Sequence, residues 1–338
     1  MIVGPNDRCS GIGPETRANV GHRQRDRGLK TPRPARSCSQ RRSGADRRPT
    51  VLPHRIGMDI PMARHLAVAL LALFTACTGG LGHRSMAPMQ GELVIPAGVT
   101  QVRVEIQNGS IEVNQGKVGA VGYRGQVRRA ADTAEQLQRF EGQGTELVAA
   151  ESPSADTLVL RGPSRPQGAD MGVLAVELIL EVPEGLAVSL IVSGSGNLSI
   201  NDRSAAIELD CGRGDLRMKR TRGTAKLHSG RGNIIADDHS GDLDVNLDVG
   251  DMQVFVREPA ARLRLVTGMG NVQCLVPPAT QFRVEARTQT GKLANGFGLA
   301  MEREGFSSWM VGQRGDGRTE LVMHSGKGHL SLSHKTFD

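Results

Sequence analysis

The stretch Ser193-Gly194-Ser195-Gly196-Asn197-Leu198 is the first copy of a phrase that the chain repeats: small residue, Gly, any residue, Gly, Asn or Asp, aliphatic residue. Clear later copies are Cys211-Gly212-Arg213-Gly214-Asp215-Leu216, Ser229-Gly230-Arg231-Gly232-Asn233-Ile234, Thr267-Gly268-Met269-Gly270-Asn271-Val272 and Ser325-Gly326-Lys327-Gly328-His329-Leu330. With degenerate copies at Asp251 and Lys292, the first six turns lie 18, 18, 18, 20 and 21 residues apart. A fixed period of this size indicates stacked supersecondary units.

Each repeat contains two short alternating segments, one on each side of the glycine turn. After the turn, apolar residues alternate with polar ones, as in Leu216 and Met218; before it, a second pair alternates, as in Ile207 and Leu209. Period-two alternation indicates strands with one buried face, and Gly, Asn and Asp tolerate the positive φ that a tight corner needs. The sequence predicts an all-β fold, a β-solenoid of 18–21-residue two-strand repeats. A twisted β-sandwich with regular hairpins is the alternative.

The basic character of the chain is confined to its first 61 residues. They carry 13 Lys or Arg and 5 Asp or Glu, whereas the remainder carries 29 and 30. This leader has many Pro and Gly, no apolar periodicity and no interleaved aromatics, so it favours disorder or a misassigned start site over nucleic-acid binding. We therefore expect no nucleic-acid partner.

Residues 62–77 have the pattern of a bacterial lipoprotein signal. Arg64 and His65 precede the eleven residues from Leu66 to Ala76, which are apolar except for Thr75; this run is too short to span a bilayer but matches the core of a signal peptide. Leu73-Phe74-Thr75-Ala76-Cys77 resembles a lipobox, and that resemblance implies an acylated Cys77 as the mature N-terminus. Phe74 departs from the usual Leu, and an ordinary secretory signal is the alternative. Thr78, which is not Asp, implies sorting to the outer membrane.

The remaining chain is expected to form one domain over 91–333, preceded by a tether at 78–90. An Asn108-Gly109 hairpin and one short helix over 132–141 are predicted in its N-terminal β region, with strands near 146–150, 157–161, 173–182 and 187–192. The segment 296–318 breaks the period and contains Trp309, the single Trp of the chain. Because a terminal layer must be covered, this segment is expected to belong to a cap.

The line Val176-Glu177-Leu178-Ile179-Leu180-Glu181-Val182-Pro183-Glu184-Gly185, followed by the glycine repeats, resembles the bacterial putative-adhesin family. The resemblance covers roughly residues 92–333. It implies a β-repeat domain of unknown function, often attached to a lipoprotein or membrane anchor, and it supplies no catalytic residues.

Acidic residues from Asp237 to Asp251 are the main candidates for chemistry, with Asp242 and Asp244 on one face of a predicted strand. They are candidate Ca²⁺ ligands or carboxylates of a polysaccharide-cleaving enzyme, although a solvated acidic face explains them more simply. His228-Ser229 and His324-Ser325 fall in the same repeat phase, but neighbouring residues on a strand point to opposite faces and cannot easily share a proton. The chain contains no established zinc, phosphate-loop or nucleophile-elbow motif.

Two Arg-Gly-Asp tripeptides, at Arg213 and Arg314, are interpreted as coincidental products of the turn chemistry. Cys211 and Cys274 are interpreted as small packed residues three repeats apart, too distant for a disulfide in a solenoid. The sequence thus predicts a lipid-anchored, non-enzymatic protein of the bacterial cell envelope at the outer membrane, without cofactors. Its β domain would be an adhesin-like binding or scaffold module, with a protein or polysaccharide partner. The alternatives are a carbohydrate-active β-helix enzyme and an envelope-stress sensor or regulatory scaffold.

Overall fold

The computed structural model describes residues 81–166, 168 and 172–336, all of which belong to one compact unit, Ala63–Asp338. The described residues are all-β apart from one helix, α1 (Ala134–Glu141). The strands are β1 (His83–Val94), β2 (Gln101–Ile106), β3 (Gly109–Gln115), β4 (Ala120–Ala131), β5 (Val148–Ala150), β6 (Thr157–Arg161), β7 (Val173–Val182), β8 (Ala187–Ser195), β9 (Leu198–Arg203), β10 (Ile207–Arg213), β11 (Leu216–Arg222), β12 (Ala225–Arg231), β13 (Ile234–Val249), β14 (Met252–Met269), β15 (Val272–Val276), β16 (Phe282–Thr290), β17 (Leu293–Asn295), β18 (Glu302–Glu304), β19 (Ser307–Arg314), β20 (Thr319–Lys327) and β21 (Leu330–His334).

These strands form a mixed sheet with two ladders of parallel strands. In spatial order, the first ladder contains β6, β2, β8, β10, β12, the second halves of β13 and β14, β20 and β16. The second ladder contains β7, β3, β9, β11, the first halves of β13 and β14, β15, β21 and β17. One strand from each ladder makes a layer, and a glycine corner joins the two strands in every layer except β6–β7, whose strands are separated by residues 162–172.

The core follows the alternation that the sequence displays. Leu209 of the first ladder and Leu216 of the second are fully buried, whereas their neighbours Glu208 and Arg217 are exposed. Equivalent positions are in register from layer to layer, as in the pairing of Leu209 with Leu227. Two strands per repeat and the period of the stack are therefore confirmed.

The order of the layers differs from the order of the chain at both ends. Layer β20–β21 lies between the layer of β14 and β15 and the layer β16–β17. Likewise, β2–β3 lies between β6–β7 and β8–β9. The spacing of the glycine phrases cannot reveal this exchange, because a late copy is compatible with any free position in the stack.

Antiparallel strands cover the ends. At the N-terminal end, β4 pairs with β7 and β1 pairs with β4; at the C-terminal end, β19 pairs with β16 and β18 with β19. The segment 296–318 therefore contributes a cap, as predicted. The helix is also confirmed: α1 begins after the cap Thr133, whose side chain accepts from the backbone nitrogen of Gln136, and buries Phe140.

Two predictions about the N-terminal region are wrong. The strands on either side of Asn108-Gly109 do not pair as a hairpin but belong to different ladders, so this dipeptide is a layer corner. Residues 83–90, expected in a tether, belong to β1, because Met89 packs in the core and β4 supplies a pairing edge along the whole strand.

Candidate functional site

The Asn or Asp of each glycine corner forms a hydrogen-bonded ladder that crosses the layers. Asn197 Oδ1 accepts from Asp215 N at 2.9 Å, Asp215 Oδ1 from Asn233 N at 2.8 Å, and Asn233 Oδ1 from Asp251 N at 3.2 Å. Asp251 and Asn271 continue the series, and Asn271 Oδ1 accepts from His329 N at 2.9 Å. The repeated residue therefore satisfies a backbone donor of the adjacent layer, a structural role.

The glycines are required because consecutive corners touch. At Gly232, φ is +146°, and a Cβ would overlap the carbonyl oxygen of Gly214 in the next layer. The small residue that begins the phrase points inward: Ser229 Oγ donates to Gly214 O at 3.1 Å, and Cys211 Sγ donates to Gly196 O at 3.1 Å. These hydrogen bonds satisfy the buried hydroxyl of Ser229 and the buried thiol of Cys211, which accounts for a small polar residue at these two positions.

The opposite corner has its own ladder of side chains, which the glycine phrases do not indicate. Asp202, Arg220 and Asp238 have φ values of 54°, 50° and 61° in successive layers. The charges of these side chains alternate from layer to layer. Arg220 contacts Asp202 through two hydrogen bonds of 2.5 and 2.6 Å, and Arg257 contacts Asp238. Hydrogen bonds from the guanidinium groups lower the pKa of both carboxyl groups. The signal available in the sequence was the 18-residue spacing of these polar residues.

His239 is fully buried beside this corner. Its Nδ1 lies 2.9 Å from Thr221 Oγ1 and its Nε2 lies 3.2 Å from the carbonyl oxygen of Asp242. Burial lowers the pKa of His239, so the neutral ring is favoured in the folded protein.

The acidic residues singled out in the sequence take part in structural contacts. Asp244 forms an ion pair with Arg264 at 2.9 Å, and Asp242 Oδ1 accepts from Arg262 N at 2.8 Å. Within the described ranges, no group of three or more His, Cys, Asp or Glu side chains is placed to hold a metal ion. The structure therefore does not bring Asp242 and Asp244 together with a further ligand.

The remaining candidates are placed as follows. Ser229 and Ser325 are buried, whereas the neighbouring His228 and His324 lie on the outer face, as the alternation predicts. Cys211 and Cys274 are buried free cysteines. The structure does not describe Cys77, and it does not describe the segments 1–61 and 62–77 or the first residues of the expected tether.

The Arg-Gly-Asp sequences also have structural partners. Asp215 belongs to the glycine-corner ladder, and Asp316 forms an ion pair with Arg318 at 2.5 Å.

A groove of about 490 Å³ lies on the outer face of the C-terminal cap. Trp309 on β19 forms its half-buried aromatic wall, flanked in register by Arg287 on β16 and Glu302 on β18. Glu285, Glu304 and Ser307 also line this groove. The sequence predicts a position in a cap for Trp309 but gives no sign of its surface role.

Across the described part of the chain, no helix has both the length and the apolar character needed to cross a membrane.

Comparisons with known proteins find similar structures but no matching sequence family. A putative cell adhesion protein from Clostridium sporogenes ATCC 15579 is 11% identical, with 74% of this chain and 100% of that chain covered at a TM-score of 0.30. A putative adhesin from Bacteroides fragilis NCTC 9343 is 10% identical, with 76% and 99% covered at a TM-score of 0.28. No family model and no curated protein matches the sequence. Similarity at this level assigns neither family nor function.

Proposed function

We propose that this protein is a lipid-anchored component of the bacterial cell envelope, sorted to the outer membrane, whose β-solenoid domain is a non-catalytic, adhesin-like binding or scaffold module. The observation that carries the proposal is a long outer face on which side chains pair with one another from layer to layer. The proposal has three parts, namely the solenoid, the binding surface and the anchor.

The solenoid is supported by parallel pairing at the repeat distance. Leu216 pairs with Ile234, and Ile234 with Met252, so equivalent residues of three successive repeats are neighbours. A sandwich of regular hairpins would instead pair consecutive strands antiparallel. The Asn/Asp ladder at one corner and the alternating ion pairs at the other run in the same direction as this stacking.

The binding or scaffold role is supported by the outer face of the first ladder. Glu208, Lys226, Asp244 and Arg264 follow one another in register, with alternating charge. Opposite charges on neighbouring strands stabilise the face and leave it without a strong net field. Such a surface extends across successive layers, which suits the presentation of a binding site at a distance from an anchor.

The same contacts count against the carbohydrate-active enzyme. A general acid or base needs a carboxyl group that can approach substrate, with a pKa suited to proton transfer. Asp238 and Asp244 instead contact Arg257 and Arg264, and the pKa of Asp238 is lowered by its guanidinium partner. The contact with Arg257 therefore favours the ionised carboxylate of Asp238, and both carboxylates are engaged by arginines of the adjacent layer.

The anchor is supported by the sequence around Cys77 and by the short distance to the fold. Strand β1 begins at His83, only six residues after Cys77. Six residues span at most about 20 Å, so an acylated Cys77 would hold the N-terminal end of the domain next to the leaflet. Several acyl chains would make this attachment stable.

The test is membrane partition of the full chain expressed in a didermal bacterium. The Cys77→Ser variant is expected in the soluble fraction, whereas Cys211→Ser, a matched control at a position where other repeats have Ser, is expected to remain with membranes. Unchanged membrane partition of Cys77→Ser would contradict the anchor.

A further inference from the structure

We propose that the groove over Trp309 is a saccharide-binding site that accepts a sugar ring of an uncharged glycan. This inference rests on the binding role proposed above, since it names the ligand class of that module, but it does not depend on the lipid anchor.

The first observation is an aromatic surface in a chain that has few aromatic residues. The chain contains one Trp, one Tyr and seven Phe. Tyr123, Phe140 and Phe282 are buried, and Lys335 Nζ lies 4.2 Å from the ring centroid of Phe255. Trp309 is instead half-buried in the wall of an open groove. A Trp in this position offers a large apolar face together with an N–H donor, which suits a ligand that has both apolar and polar surfaces.

The second observation is the ring of polar groups around that face. Arg287 and Glu302 are the register partners of Trp309 on its two sides, and Glu285, Glu304 and Ser307 complete the rim. Pockets that recognise small molecules combine an apolar wall with a few polar groups that fix orientation. A sugar ring has a C–H face that packs on an aromatic ring, and peripheral hydroxyl groups that both donate and accept hydrogen bonds. Guanidinium donors and carboxylate acceptors on one rim match these hydroxyl groups.

The rim carries three carboxylates, of Glu285, Glu302 and Glu304, beside one guanidinium, so it offers hydrogen-bond acceptors together with donors. Arg287 lies among the carboxylates at the same rim, and Glu285 Oε1 lies 3.5 Å from His324 Nε2. The carboxylates also attract cations, but a cationic side chain cannot accept a hydrogen bond from Arg287, whereas a sugar hydroxyl group can accept from Arg287 and donate to a carboxylate.

Self-association through the neighbouring edge is disfavoured for a similar reason. Strand β18 reads Glu302-Arg303-Glu304 and is exposed throughout. If two copies paired antiparallel about Arg303, Arg would face Arg and Glu would face Glu. Like charges directly opposite each other destabilise strand pairing.

The position of the groove agrees with a binding role. It lies on the cap β18–β19, at the opposite end of the stack from β1, the strand that follows the proposed anchor. Phe306, 77% exposed, forms part of the turn between β18 and β19 and adds apolar surface to the same cap. Nine two-strand layers at about 4.8 Å each would place this cap roughly 40 Å from the anchored end.

Trp309 fluorescence tests the proposal directly, because this residue is the single Trp of the full chain. The purified full chain, in detergent, is titrated with maltotriose, cellotriose, tri-N-acetylchitotriose and, as the cationic probe, trilysine. At least one neutral trisaccharide is expected to give a saturable change in Trp309 emission at millimolar concentrations, and trilysine none. Calorimetry with the active trisaccharide should show binding reduced at least tenfold by Trp309→Ala and at least threefold by Glu304→Gln, an exposed substitution that leaves the core intact. Val118→Ala, at a residue that is 97% exposed and distant along the chain, should bind like the parent.

Three outcomes would overturn the saccharide site: no saturable change with any of the trisaccharides, binding of trilysine instead, or unchanged calorimetric affinity in both Trp309→Ala and Glu304→Gln. A failure here with normal release of Cys77→Ser from membranes would remove the site and leave the anchor proposal standing. The reverse pattern would remove the anchor alone.

Discussion

Asp251 Oδ1 accepts two hydrogen bonds from Asn271, one from the backbone nitrogen at 2.7 Å and one from Nδ2 at 3.1 Å. Asp215 has the same relationship to Asn233. Along the corner ladder the residues alternate as Asn197, Asp215, Asn233, Asp251 and Asn271. An amide therefore separates each pair of carboxylates, so that the ladder is continuous without placing like charges in neighbouring layers.

The alternation of Asn and Asp along the corner ladder predicts that an added negative charge lowers the stability of the domain, separately from any loss of a hydrogen bond. Asn233→Asp would place three carboxylates in consecutive layers and is expected to destabilise the domain by about 1 kcal/mol at pH 7, since like charges directly opposite repel. Urea unfolding at pH 7 and pH 3.5 measures this, and the loss should shrink at the lower pH as the carboxylates protonate. Asn233→Ala is the control. It removes hydrogen bonds without adding a charge, so it should lower the free energy of unfolding by about 1 kcal/mol at either pH. Equal pH dependence in both variants would contradict the account.

Close approach of the corners predicts a strong requirement for glycine at Gly232. Gly232→Ala combines strain at φ +146° with overlap of the Gly214 carbonyl oxygen and should cost about 2 kcal/mol or more. At Gly185, a Cβ would meet no atom within 4 Å, and Gly185→Ala is expected to be nearly neutral. Thermal unfolding of the two variants checks the difference, and similar melting temperatures would argue against touching corners.

Much of this fold can be predicted from the sequence because each repeat reports its own geometry. The alternation around Leu209 and Leu216 indicates which face is buried, and the glycines indicate where each layer turns. Long-range order is different: Ser325-Gly326-Lys327-Gly328-His329 looks the same whether its layer is last in the stack or inserted before β16–β17. The prediction of a hairpin at Asn108-Gly109 was wrong for a related reason, because the dipeptide that favours a hairpin also suits a corner between two ladders.

The candidate sites were less predictable still. The sequence of an acidic run such as Asp237 to Asp251 does not reveal its partners. Arg257 and Arg264 become neighbours of these carboxylates only when the layers stack. Trp309 could be assigned to a cap because it lies where the period breaks. Its exposure depends on pairing with β16 and β18, which no local pattern encodes.

Burial of His239 predicts a loss of stability in mild acid. The pKa of His239 is lowered in the folded protein. Below the pKa of the unfolded chain, near 6.5, the unfolded chain therefore binds more protons, and the free energy of unfolding decreases as the pH is lowered. The loss should begin near pH 6.5 and approach about 1.4 kcal/mol per pH unit until the folded pKa is reached. Unfolding free energies measured from pH 7.5 to 5 should show this slope, and His239→Gln should flatten it. A slope that persists in His239→Gln would assign the effect to other groups.

Cys211 and Cys274 are both predicted to be inaccessible in the folded protein and not to pair with each other. Burial raises the pKa of Cys274 to about 12 and also raises that of Cys211, so both thiols should resist a thiol reagent in the folded protein. Their layers are three steps apart in the stack, roughly 14 Å, whereas a disulfide needs Cα atoms within about 7 Å. Thiol titration of residues 78–338, in which Cys211 and Cys274 are the only two of the five cysteines, should detect both thiols after denaturation and neither before it. An intramolecular Cys211–Cys274 disulfide in a non-reducing peptide map would contradict the stacking order.

The stacking order itself, with β20–β21 inserted before β16–β17, is tested most directly by paired cysteine substitutions at the glycine corners. Lys327 is in register with Met269 on one side and with Thr290 on the other, so Met269 and Thr290 are two layers apart. Under mild oxidation, Met269→Cys with Lys327→Cys should cross-link within one chain, because adjacent layers place Cα atoms about 5 Å apart, within disulfide range. Met269→Cys with Thr290→Cys should not, at roughly 10 Å. Efficient cross-linking of 269 to 290 without cross-linking of 269 to 327 would show that the layers stack in chain order and would contradict this account.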